Sequence, residues 1–158
     1  MFLSKINARY QIVSVEDTDA WDDDLLRAIY SYTEDHAGIT AKEKEILKKG
    51  IQKHGIDKEL YRGLNGDFSH LKVGDTITMS GFISCTDDED VAYKFAKGKS
   101  LDQAHKAGAV ITLTGRGLPI TQGRFNDEAE HLVLGDGKYI VKEIDYQKRW
   151  NLYYITVD

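Results

Sequence analysis

Apolar positions follow two different periods along this chain, a helical one as far as residue 55 and an alternating one beyond it. Leu25, Leu26, Ile29 and Tyr30 fall on one side of a helix drawn from Thr18 or Asp19, with Asp22, Asp23 and Asp24 near its positive end and Gly38 as its limit. A second helix is marked more sharply. Thr40 and Glu43 form a capping box, Ile46, Leu47 and Ile51 make the buried face, and Gly55 closes it. The charges from Lys42 to Lys49 then form its solvated face. Ahead of both helices, residues 9–15 read as a short strand or an extended lead-in.

After Gly55 the segments shorten, alternate and are broken by glycine. Strands are expected at 59–64, at 76–86 after a turn at Gly74-Asp75, and at 109–113, 129–134, 138–145 and 152–157. Gly135-Asp136-Gly137 reads as a tight hairpin turn between two of them. One short helix interrupts the strands over 87–96, capped by Thr86 or Asp87, with Val91 and Phe95 at i, i+4 and Gly98 as its stop. Helices first and mainly antiparallel strands afterwards predict an α+β protein, not a doubly wound sheet. No repeat or linker divides the chain, so one domain is expected over 1–158, helical at about 18–55 and β-rich at about 59–158.

Composition narrows the function classes. A chain of 158 residues with 41% apolar and 30% charged residues can bury a core unaided. It has no apolar run long enough to cross a membrane as a helix. A formal charge of -5 argues against a surface that tracks nucleic-acid phosphates. Cys85 is the sole cysteine, so no intrachain disulfide forms. The opening Met1-Phe2-Leu3-Ser4-Lys5 turns polar too soon for a secretory signal, so a chain that is cytoplasmic as synthesised is expected, with any action in another cell depending on delivery. A monomer is expected.

The candidate chemistry lies in three places. Glu128 and Glu130 alternate with Ala129 and His131, so on a strand the two acids share one face, behind Phe125 and ahead of Leu132-Val133-Leu134. Such a pair is a catalytic site or merely a solvated edge. Arg62 shares a face with Leu60 and Leu64, and a part-buried guanidinium needs an anion, either an internal acid or a ligand phosphate or carboxylate. Ser84 and Thr86 share another strand face, with Cys85 opposite as a small buried residue and not a nucleophile. The five histidines show no metal-ligand spacing, so no metal is expected. Neither a GxGxxG nor a GxxxxGK[ST] motif occurs.

Taken in order, Tyr61-Arg62-Gly63, then Gly81-Phe82-Ile83-Ser84-Cys85-Thr86 before an acid-capped helix, then Phe125-x-x-Glu128-x-Glu130, resemble the arginine–serine–glutamate class of mono-ADP-ribosyltransferases. That class includes actin-modifying bacterial toxins, phage-encoded host-modifying transferases and vertebrate ecto-enzymes. The resemblance spans about residues 25–158, and Ser31-Tyr32-Thr33 is similar to the segment that opens the catalytic domain in the family. The usual Ser-Thr-Ser reads Ser84-Cys85-Thr86 here, keeping the first serine and a final hydroxyl. The resemblance implies two packed, mainly antiparallel sheets around an NAD cleft, with NAD as co-substrate and a protein arginine as acceptor. By similarity Arg62, Gly63, Ser84, Thr86 and Glu130 would hold NAD. Ser84 would orient Glu130, Glu130 would hold the ribose, Glu128 would serve the acceptor, and Phe125 would help recognise the target. A glutamate at position 128 is what marks arginine specificity in the family. An NAD glycohydrolase and an inactive NAD-fold binding module are the alternatives.

Overall fold

Asp22 sets the start of the first described helix, because its carboxylate accepts the Leu25 amide at 2.7 Å and satisfies one of the orphan donors of a helix start. Helix α1 (Asp23–Glu34) follows it in the computed structural model, which describes residues 21–98, 107–120 and 130–158. The start is later than Thr18 or Asp19, and the buried stripe shifts with it to Leu25, Ala28, Ile29 and Tyr32. Tyr30, expected on that stripe, is 56% exposed. The extended lead-in expected at 9–15 lies outside the described residues. After a 3-10 turn at His36–Gly38, helix α2 (Ala41–His54) has its capping box complete, with Glu43 and Thr40 each accepting the other's amide at 2.9 and 3.1 Å. Leu47 and Ile51 are buried, and the lysines between 42 and 49 are exposed as expected.

The other described elements are β1 (Ile56–Asn65), β2 (Thr76–Thr86), helix α3 (Glu89–Lys97), β3 (Gly108–Pro119), β4 (Glu130–Gln147), a 3-10 turn at Lys148–Trp150 and β5 (Leu152–Val157). The described strands form one five-stranded network in the order β1-β2-β4-β3-β5, with β1–β3 and β4–β5 also paired. Among the described pairings only β3 with β5 is parallel. β4 joins the network's two halves, pairing with β2 from Glu130 to Ile140 and with β5 from Val141 to Gln147.

That long strand corrects the hairpin expected at 135–137. Gly-Asp-Gly between alternating runs is a turn signal, yet the register with β2 continues unbroken from Phe82↔Leu134 to Met79↔Gly137. A Cβ at Gly135 would stand 2.4 Å from the Met79 carbonyl oxygen, so the glycine serves close strand approach, not chain reversal. The cap of α3 also differs. Asp88, not Thr86 or Asp87, accepts the Asp90 amide at 3.0 Å.

Three apolar clusters order the layers. Leu60, Ile83, Cys85, Ile111, Val133 and Ile155 pack between the two halves of the network. α1 and α2 cover the outer side of β2 and β4 through Leu25, Ile29, Leu47 and Leu132. α3 covers β1, β3 and β5 through Ala92, Ala96, Val110 and Leu152. Among the described residues no helix is long and apolar enough to cross a membrane.

Candidate active site

β1 and β2 share a single paired position, Tyr61 with Thr86, and beyond it they part. A cleft of about 350 Å³ occupies the gap, with α1 on one side and α3 on the other. Ser84 and Thr86 face the cleft from β2 as the alternation read from sequence requires, joined by Phe82, and Cys85, which borders the cleft, is packed into the core at 3% exposure. Burial pushes the Cys85 thiol up to about 12, which leaves it unreactive near neutral pH.

Ser84 stands at the centre. Its Oγ lies 3.0 Å from the Tyr32 hydroxyl of α1, and its carbonyl accepts Nη1 of Arg62 at 2.8 Å. Arg62 thus spends one donor on backbone and forms no ion pair among the described residues, so the internal acid allowed for it at the sequence level is absent there. Glu130 opens β4 opposite Thr86, lines the same cleft and is only 8% exposed. Burial raises its pKa, opposed by hydrogen bonding from Ser84 and by the nearby His36 imidazole. The result is a buried acid on β4 with a hydroxyl beside it on β2 and a guanidinium beyond that on β1.

Two of the expected ligand residues are engaged locally. Thr86 Oγ1 accepts the Asp88 amide at 3.0 Å and so shapes the turn into α3. Gly63 lines the cleft, but a Cβ there would stand 1.9 Å from the Ala92 carbonyl oxygen, so its first duty is to let α3 lie against β1. Phe125 and Glu128 lie outside the described residues. Tyr32 and His36 are among the cleft residues not singled out from sequence as site residues. Tyr32 near the end of α1 and His36 in the 3-10 turn after it have rings 6.0 Å apart, and Tyr32 meets Phe82 edge-on at 6.4 Å. Tyr32 fell only within the Ser31-Tyr32-Thr33 segment, and its signal was the apolar stripe continued one turn past Ala28.

No sequence-family model and no curated protein matches this chain. Solved structures do. Exoenzyme S from Pseudomonas aeruginosa, bound to carba-NAD in a complex with human 14-3-3 protein beta, aligns at a TM-score of 0.64 and 15% identity over 99% of this chain and 84% of its own. C3stau2 from S. aureus with NAD aligns at 0.62 and 15% identity, over 90% and 93% of the two chains. The Vibrio splendidus ADP-ribosyltransferase Vis in complex with agmatine aligns at 0.55 and 19% identity, over 99% and 80%. At these identities the likeness is one of fold, and the fold is that of the ADP-ribosyltransferase toxins.

Proposed function

We propose that this chain transfers ADP-ribose from NAD to an arginine side chain of a target protein and releases nicotinamide. The observation that carries the reading is the buried Glu130 carboxylate set beside Ser84, which is itself tied to Tyr32 and Arg62. Breaking the bond between nicotinamide and ribose leaves positive charge on the ribose, and a desolvated, preorganised carboxylate stabilises that charge far better than water does. Glu130 accepts the ribose 2′-hydroxyl, and Ser84 keeps its carboxylate in place. Arg62 grips the diphosphate or the nicotinamide ribose with the donors it does not spend on Ser84. The aromatic rings of Tyr32 and Phe82 suit a flat ring system at the cleft wall.

The acceptor side rests on Glu128 and Phe125, read from sequence. The nicotinamide–ribose bond breaks with its electron pair going to nicotinamide, an arginine nitrogen bonds to the ribose carbon, and Glu128 takes the proton the nitrogen sheds. Arginine's pKa lies above about 12, so this proton leaves as the new bond forms, not before. Agmatine, found with Vis, carries the same guanidine group and supports an arginine-like acceptor. The toxin neighbours support a role as an effector, and the alternative of a phage enzyme acting on a host rests on the sequence resemblance alone.

Nicotinamide release and ADP-ribosyl-agmatine formation, measured together for wild type and Glu128→Gln, test this reading. The expected result is that the variant loses transfer and keeps substantial NAD cleavage, since water still reaches the cationic carbon. Wild-type cleavage without transfer would make the protein an NAD glycohydrolase, and no cleavage would leave a binding module.

A further inference from the structure

The side of β4 turned away from the cleft carries a polar group that the chemistry above leaves unused. His131 follows Glu130 directly and is 6% exposed. Its Nε2 lies 3.4 Å from Asp87 Oδ2, and the same oxygen lies 3.2 Å from Lys58 Nζ. Burial lowers the His131 pKa, which favours a neutral ring donating Nε2–H to Asp87. None of the three residues lines the cleft. Asp87 Oδ1 and His131 Nδ1 are buried without a hydrogen-bond partner among the described residues. Apolar side chains of similar volume would serve stability at least as well as such a half-satisfied cluster.

What the cluster does achieve follows from where its members sit. Lys58 belongs to β1, which carries Arg62. Asp87 follows β2, which carries Ser84. His131 belongs to β4, which carries Glu130. β1 and β2 share only the Tyr61–Thr86 position as a backbone pair, so their separation is weakly held by the ladder alone. We propose that Asp87 is a positioning residue, a clasp between Lys58 and His131 behind the cleft that sets the distance from Arg62 to Glu130. Its catalytic consequence rests on the transferase reading, whereas the mechanical tie does not.

The test compares wild type with Asp87→Asn, with Asp87→Glu, and with a triple variant carrying Lys58→Met, Asp87→Leu and His131→Leu. The measurements are kcat and KM for nicotinamide release per folded molecule, the thermal midpoint, and hydrogen exchange at the Tyr61, Thr86 and Glu130 amides. Asp87→Asn is expected to lower kcat about 10-fold or more with KM for NAD unchanged, because small misplacement of reacting groups is costly. Asp87→Glu should restore part of it. The triple variant should keep or raise the midpoint and still lose kcat, a divergence that a merely structural cluster would not produce. Wild-type kcat per folded molecule in both Asp87→Asn and the triple variant would overturn the proposal. A wild type that releases no nicotinamide would sink the transferase reading, and exchange alone would then judge the clasp. Faster exchange at those three amides in Asp87→Asn supports it, and unchanged exchange rejects it.

Discussion

Glu130 is asked to be charged in a place that disfavours charge. Burial raises its pKa, so the folded protein holds this proton more tightly than the unfolded chain does. The contribution of Glu130 to stability is therefore greatest below the ordinary glutamate pKa and falls as pH rises through the interval up to the raised value. Activity runs the other way across that interval, because only the carboxylate stabilises a cationic ribose. Glu130→Gln keeps the shape and removes the conflict. Its nicotinamide release should drop on the order of 100-fold or more, the scale of losing one preorganised electrostatic group. Its thermal midpoint near neutral pH should rise above that of wild type. Near wild-type release by the variant would take Glu130 out of the mechanism.

Helix α3 is placed by the absence of side chains beneath it. Gly63 lets the Ala92 carbonyl approach β1, and Val91, Ala92 and Phe95 then form a wall of the cleft. A Cβ at residue 63 meets backbone 1.9 Å away, which no rotamer change relieves. Gly63→Ala should cost about 1–3 kcal/mol, the usual scale of overpacking. Denaturant titration should show a lower midpoint at an unchanged slope. Because the wall moves with the helix, KM for NAD should rise in the molecules that remain folded. A variant as stable as wild type would mean that α3 shifts freely on the sheet.

At the scale of the whole molecule the cleft lies between the two halves of the strand network, and Arg62 Nη1 reaches across it to the Ser84 carbonyl. A ligand held from both sides stabilises the assembly by mass action, about 2.7 kcal/mol at 100 times its Kd. NAD should therefore raise the thermal midpoint of wild type. Arg62→Lys should reduce that rise, since a point ammonium reproduces neither the fork nor the tie to Ser84. An equal rise in both proteins would make Arg62 a structural residue only.

The local elements were legible in the sequence wherever short-range rules act alone. The Thr40 capping box, the run of β2 and the strand at 152–157 appear as read, because caps and alternation involve only neighbouring residues. The shared face of Ser84 and Thr86 and the separation of Glu130 from His131 follow from the same alternation. Other features depended on partners distant in sequence. Gly135-Asp136-Gly137 carries a turn signal, and only pairing with β2 turned it into the middle of a long strand. Gly63 reads as a strand glycine at a ligand site until α3 is laid against it. The link from Tyr32 to Ser84 joins residues 52 positions apart, and the Lys58–Asp87–His131 cluster joins β1 and β4 to the turn after β2. Periodicity along a chain specifies which way a side chain faces, whereas what it faces is decided by packing between segments that the periodicity never compares.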